Sequence, residues 1–376
     1  MQQNRALAAL CLLAIVGVVA VVVTSMGSDA SVPAANAQAP DAAQPAEVAP
    51  ATTSAPARAR SVTVAAVGDT VMGTPEFGLP PAGGSRLFSA VKPLLTGDVV
   101  MGNLESALAT GPSTKCSSGS GGSCFAFASP PSYARNLKAA GFTAMATANN
   151  HANDWGSAGV RSTGRALDAV GIVHAGRPGE IGIQKLSDGT KVALVGLAPY
   201  AWSQNALDIA AATRLVRKAA TMAPIVIANM HVGAEGTGYR HVPTGAEAYL
   251  GEPRGNARAL ARGMVDAGAD LVVGNGPHVM RGMEFRKGRL IAYSMGNFLG
   301  YKVFGTSSYT GQSGVLRVTL DPDGRFVTGR LAPVRLNGDG VPSPGGSSIR
   351  DVATLSRADF GRTAARIARN GTIRTP

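Results

Sequence analysis

The chain has 376 residues, 45% hydrophobic and 15% charged, with 48 glycines, 23 prolines, three cysteines and a net charge of +12. That apolar content excludes an intrinsically disordered protein, and three cysteines exclude a disulfide-dense scaffold or a multi-cysteine zinc or iron–sulfur protein. A single apolar run of membrane-spanning length, residues 6–26, excludes a polytopic transporter and leaves an anchored or secreted globular protein.

The run 6–26 follows Arg5 and precedes Asp29. At about 1.5 Å per helical residue it spans about 30 Å, the thickness of a hydrocarbon core. Arg5 inside and Asp29 outside predict a single-pass N-terminal anchor in the cell membrane, with the rest of the chain extracytoplasmic. A signal peptide cut at 35–37 or 37–39 is the rival reading and would release a secreted protein. Residues 27–60 are mostly Ala, Pro, Ser, Thr and Gln without apolar periodicity, and predict a semi-extended linker. The charges of residues 1–60 cancel, so the whole +12 belongs to 61–376. A basic extracytoplasmic domain points either to a polyanionic partner at the cell surface or to an Arg-rich solvated face, and the compartment speaks against nucleic acid. Cys116 and Cys124 flank a Ser/Gly stretch flexible enough to close on itself, which predicts a small structural disulfide.

From residue 61 the pattern alternates. Apolar strand-like runs at 61–67, 98–101, 143–147, 224–230 and 269–273 each end in polar residues. Helical stretches fall between them at 87–95, 132–140, 157–170, 209–222 and 256–267. Further strands at 191–196, 288–293, 314–320 and 325–334 read as hairpins, some in a second sheet. Nearly continuous apolar strands alternating with helices predict an α/β domain over 61–336, its sheet covered by helices, with a basic C-terminal extension at 337–376. Neither an internal repeat nor a domain boundary is visible within 61–336.

In open α/β folds, sites form outside the carboxyl ends of strands. Asp69, Glu105, Asn150, His151, His231 and His278 each follow a strand, and they include three of the five histidines. Carboxylates, an amide oxygen and imidazoles are a ligand set for one or two borderline divalent ions such as Mn, Fe or Zn. Singly, each has a plain structural reading. Asp69 could be a turn or cap residue, Glu105 a turn after Gly-Asn, and Asn149-Asn150-His151 a loop of local bonds with Asp154 as an N-cap. His231 could be a satisfied buried histidine, and His278 a surface turn residue. Five such strand ends in one chain argue for a shared site.

In order along the chain come Gly68-Asp69-x-x-Met72-Gly73, Gly102-Asn103-Leu104-Glu105, Asn149-Asn150-His151-x-x-Asp154-x-Gly156, His231-x-Gly233-x-Glu235, Pro277-His278-Val279 and Tyr293-Ser294-Met295-Gly296-Asn297-Phe298. This series resembles the CapA capsule-synthesis family, associated with poly-γ-glutamate, over roughly residues 61–336. The resemblance implies a metallophosphoesterase-like α/β/β/α sandwich of two mixed sheets with the metal site on their shared rim. It implies Asp69 and His278 at a first metal, Asn150 and His231 at a second, and Glu105 bridging. His151 would be the proton donor or transition-state stabiliser, with Asp154 orienting it. Glu235, four residues past His231, would support that ligand, and 293–298, with Asn297, would shape the floor. Two cations about 3.5–4 Å apart would lower the pKa of a bridging water and clamp phosphoryl oxygens.

Two departures stand out. Val71 occupies a position where the phosphoesterase pattern has a histidine, and Gly276 stands where it places a second-metal imidazole, leaving Asn275 as the nearby substitute. Two functions follow. One is a metal-dependent phosphoesterase-type hydrolase acting on a phosphorylated or anionic envelope substrate, alongside other capsule-synthesis subunits. The other is a non-catalytic anchored factor that binds or exports an acidic polymer. No phosphate-binding P-loop and no Gly-x-Ser-x-Gly elbow supports an ATP-driven synthetase or a serine hydrolase.

Overall fold

The computed structural model describes residues 60–116 and 124–376. The expected anchor at 6–26 and all but the last residue of the linker 27–60 lie outside the described residues. Val62–Val71 (β1) alternates its side chains between two apolar environments, with Val62, Val64 and Ala66 on one side and Ala65 and Val67 on the other. A strand buried on both faces reads as a continuous apolar run. The same holds for Val99–Leu104 (β2), Ala144–Ala146 (β3), Ile225–His231 (β4) and Leu271–Asn275 (β5), all buried throughout.

β1, β2 and β3 pair in parallel, and β3 pairs in parallel with Val173–Ala175. On its other side β1 runs antiparallel to Gln312–Leu320, which pairs antiparallel with Phe326–Leu336, completing a ten-stranded mixed sheet with its outer strands. β4 and β5 are parallel neighbours in a second, seven-stranded mixed sheet, between Lys191–Ala198 and Arg289–Ala292.

Both sheets contribute to one inner core, where Val64 and Met101 meet Leu194, Ile227 and Val273. Ala134–Ala140 (α1) and Gly156–Asp168 (α2) set Leu137 and Leu167 on the outer face of the first sheet. Ile209–Met222 (α3) and Ala257–Asp266 (α4) set Leu215 and Leu260 on the outer face of the second. Both α3 and α4 start at a side-chain cap: Asp208 accepts from the Ala211 amide at 2.8 Å and Asn256 from the Ala259 amide at 2.9 Å. The layers are α/β/β/α, the sandwich that the motif series implies.

Two segments differ from the sequence reading. The helix expected at 87–95 is a run of turns ending in the 3₁₀ turn Lys92–Leu94, because Pro93 has no amide to donate and its ring clashes with a helical carbonyl. The C-terminal 337–376 is built into the fold rather than extending from it. Pro342–Pro344 and Thr372–Arg374 pair with Phe326–Leu336, while Ser348–Phe360 (α5) sends Val352 into the inner core. Cys116 and Cys124 are bonded, as expected. Among the described residues no helix is long and apolar enough to cross a membrane.

Candidate metal centre

At the carboxyl ends of β2, β4 and β5, the inner-facing positions change from apolar to polar without a change of period. Met101 is followed two residues on by Asn103, Ile227 by Asn229 and then His231, and Val273 by Asn275. β1 reaches Asp69 through a register shift after Ala66. There the backbone of residue 296 approaches so closely that a Cβ on Gly68 would lie 1.8 Å from the Gly296 carbonyl oxygen, so only glycine fits. The Asp69 amide donates to that oxygen at 2.9 Å.

Ligand atoms of Asp69, Glu105 and His278 lie within 4.8 Å of one another. His278 Nδ1 is 3.4 Å from Asp69 Oδ2, and its Nε2 is 3.6 Å from Glu105 Oε1. His231, fully buried, sits on the other side: Nδ1 is 3.8 Å from Asp69 Oδ1 and Nε2 is 3.7 Å from Glu105 Oε1. His278 has φ of +57°, a backbone state that non-glycine residues rarely hold and that clusters at functional sites. Its ring is oriented by Asn297, whose Oδ1 lies 2.8 Å from Nδ1.

The electrostatics follow from burial. Burial pushes the Glu105 carboxyl well above the usual range. It pushes His231 down to about 3, so this imidazole is neutral at physiological pH. Burial opposes charge on His278 too, but the carboxylates of Glu105 and Asp69 outweigh it and raise that imidazole to about 10. Asp69 is held below its ordinary value: the His278 hydrogen bond and the neighbouring imidazoles overcome its desolvation.

The unpaired atoms test whether this cluster suits a cation. Both oxygens of Glu105, Nε2 of His231, Oδ1 of Asn150 and both amide atoms of Asn275 are buried without a hydrogen-bond partner among the described residues. A buried polar group left unsatisfied costs about 1–3 kcal/mol, and the carboxylate and amide oxygens and the imidazole nitrogen among these orphans fit a divalent ion of borderline character. Asp69, Glu105 and His278 would hold it, with His231, Asn150 and Asn275 able to extend the set.

His151 is held by partners of its own. Its Nδ1 lies 2.6 Å from Asp154 Oδ2, the pairing expected for an oriented imidazole. Phe127 stacks on the ring at 3.9 Å, its amide donates to Asp154 Oδ2 at 2.8 Å, and Lys115 Nζ reaches Asp154 Oδ1 at 3.0 Å. Burial lowers the His151 pKa against the opposing pull of Asp154, leaving Nε2 available for proton exchange.

Glu235 does not support His231. It lies 3.8 Å from His278 Nε2 and pairs with Arg254 Nη1 at 2.7 Å, because the loop after β4 turns at Gly233 and Gly236, both at positive φ. Sequence reasoning also left Asn103 and Asn149 without roles. Asn103 Nδ2 donates to Asp69 Oδ1 at 2.7 Å and lies 3.0 Å from His231 Nδ1, tying the two sheets together. Asn149 Nδ2 donates to the Leu104 carbonyl at 2.8 Å, and its Oδ1 accepts from the His151 amide at 3.0 Å. Both stood inside the motifs, yet nothing along the chain shows which sheet a side chain will bridge.

The profile of the bacterial capsule synthesis protein PGA_cap matches residues 63–302, which span all five site-bearing strands. The chain belongs to this family. Among curated relatives, the PGA biosynthesis protein CapA of Bacillus subtilis is 32% identical over 43% of this chain and 44% of its own length. The capsule biosynthesis protein CapA of Bacillus anthracis is 31% identical over 43% and 41%. The uncharacterized protein y4sH of Sinorhizobium fredii is 28% identical over 45% and 51%, so the matches span about half or less of each relative. Among solved structures, a hypothetical protein from Thermus thermophilus aligns with TM-score 0.44 at 18% identity, over 72% of this chain and 98% of that one. A 5'-nucleotidase precursor from the same organism aligns with TM-score 0.41 at 13% identity, over 75% and 56%.

Proposed function

We propose that this PGA_cap member is a metal-dependent hydrolase of the phosphoesterase type, acting outside the cytoplasm on a phosphorylated or anionic envelope substrate in capsule biosynthesis. The observation that carries this reading is the orphaned Glu105 carboxylate: both oxygens are buried without a hydrogen-bond partner among the described residues, and Oε1 lies 3.7 Å from His231 Nε2 and 3.6 Å from His278 Nε2. A divalent ion bound there would supply Lewis-acid polarisation of a phosphoryl oxygen and an acidified water. The chain's own residues do the rest. Asn103 holds Asp69 and Asn297 orients His278, while Asp154 holds His151 at Nδ1 and so fixes Nε2 as the atom through which a proton is exchanged with the reacting oxygens. The location rests on the apolar run 6–26 and on the Cys116–Cys124 disulfide, which suits an oxidising compartment. N-terminal sequencing of membrane-associated protein tests the anchor; a start near residue 38 or 40 would mean a cleaved, secreted chain.

The test of the chemistry pairs metal analysis with turnover of a generic phosphodiester. Wild type should bind one or two equivalents of Mn, Fe or Zn and hydrolyse the diester. Glu105→Gln should lose both, and His151→Ala should keep the metal while losing most turnover. A second reading is favoured by Gly276, which offers no side-chain donor where a second-metal imidazole would stand: a non-catalytic factor that binds or exports an acidic polymer. Firm metal binding with no turnover in wild type would select it.

A further inference from the structure

The C-terminal 337–376, beyond the residues that match the family, carries six arginines: Arg350, Arg357, Arg362, Arg366, Arg369 and Arg374. All six are exposed, and all six line two adjoining open grooves of about 780 and 680 Å³ that share Arg357 and Ile367. Among the described residues, no aspartate or glutamate lines either groove. The acids of α5 are turned to other partners: Asp351 accepts from Ser347 Oγ and faces Arg240, while Asp359 is taken by His241 and the Val242 amide.

We infer that these two grooves form one binding surface for an extended polymer of repeating anionic groups, separate from the rim centre. A cluster of exposed like charges without counter-charges raises the free energy of the folded chain unless an anion relieves it. The grooves are open and their guanidiniums solvated, so a single small anion gains little from any one of them. Several contacts along one chain act together, because each tethered group meets the next guanidinium at high effective concentration. Guanidinium forks suit carboxylate and phosphate alike, so the shared chemistry is the regularly spaced anion. Among the described residues no aromatic side chain lines either groove, which removes the stacking platform that single-stranded nucleic acid uses. The surface does not depend on the metal centre, since none of its lining residues belongs to the rim site.

The test is binding of labelled polyglutamate and of polyphosphate of similar charge to the full-length protein in about 0.1 M salt, where charges are screened beyond about 10 Å. Arg362→Gln/Arg366→Gln/Arg374→Gln and Arg350→Gln/Arg357→Gln/Arg369→Gln should each weaken binding by at least about tenfold, with metal content and melting temperature unchanged. The control Arg214→Gln/Arg217→Gln/Lys218→Gln removes as many charges from α3 and should change affinity less than about twofold. Tighter binding of one polymer identifies the source of the anion. Equal weakening by the control reduces the effect to net charge and overturns the proposal. So does the absence of binding to both polymers, or tighter binding of a single-stranded oligonucleotide.

Discussion

At neutral pH a proton sits among Asp69, Glu105 and His278, and a cation entering this cluster displaces it. His278 is raised to about 10 by the two carboxylates, above its unfolded value, so the proton-bound form dominates the metal-free protein across the physiological range. The sign follows: protons compete with the cation, so apparent Zn or Mn affinity rises with pH, by up to about tenfold per unit between roughly pH 6 and 9. His231, near 3, has no proton to give up in that window. Calorimetry in two buffers of different ionisation enthalpy should report release of close to one proton; an affinity independent of pH would disprove the displacement. Gly276 makes a different point. Replacing it with histidine looks like the way to restore a missing ligand, but its φ is +107° and a Cβ would press on the Val232 amide at 3.1 Å and His231 Cδ2 at 3.2 Å. That change would move His231 instead of adding to it. Asn275→Leu is the better probe, because it removes a buried amide that has no partner among the described residues. It should stabilise the metal-free protein by about 1–2 kcal/mol while weakening metal affinity. Thermal melts with and without cation separate the two effects, and equal destabilisation in both would make the amide purely structural.

At the scale of elements, the two stretches that flank the disulfide hold the His151–Asp154 pair in place. Lys115, next to Cys116, and Phe127, three residues past Cys124, both grip Asp154, and the Ser113 hydroxyl and Thr114 amide bond its carbonyl at 2.8 and 3.0 Å. The bridge closes a short loop, so by chain-entropy reasoning its removal costs about 2–3 kcal/mol and Cys116→Ser/Cys124→Ser should still fold. What should change is the grip. The Phe127 amide should exchange faster with solvent, and Trp155, whose indole donates to the Gly111 carbonyl at 2.9 Å, should shift its fluorescence. Unchanged exchange at Phe127 would show that the flanks hold without the bridge. This grip was not legible in the sequence, where Lys115 and Phe127 are ordinary neighbours of two cysteines. The strand ends were legible, because an apolar run that stops at Asp69, His231 or Asn275 marks both a buried strand and its polar rim. Glu235 was misplaced for a physical reason: spacing along a loop with two positive-φ glycines does not say which ligand a side chain will meet. Both ends of α3 were predicted because its cap and its apolar stripe agree, whereas Pro93 defeated a helical pattern that looked adequate at 87–95.

For the molecule as a whole, the decisive difference between pattern and fold is the C-terminal segment. α5 was not recognisable because two of its buried positions are Ser348 and Ser356, which break the apolar stripe while making core contacts. Ser356 Oγ accepts from the Met283 amide at 2.8 Å, and the Ala365 amide donates to the Met283 carbonyl at 3.0 Å, so this segment satisfies the backbone of a strand in the second sheet. Thr363 donates to Glu284, which also binds Arg262 and the Tyr293 hydroxyl, and Phe360 stacks on Tyr293 at 4.9 Å. On the first sheet, Ile373 and Val352 complete the inner core beside Leu331. A chain ending at residue 336 would expose this end of the core and leave Glu284 short of a partner. Each large apolar side chain uncovered costs about 1.5–3 kcal/mol, and several lose their cover at once, which rivals the total stability of an ordinary domain. The truncated protein is therefore expected to be insoluble, or to bind a hydrophobic dye and melt without a cooperative transition. Its rim residues all precede residue 300, so any metal affinity it lacks would report the loss of the sandwich and not of a ligand. Truncated protein that melts cooperatively at the wild-type temperature would show that 337–376 is a passenger on a domain already complete at 336.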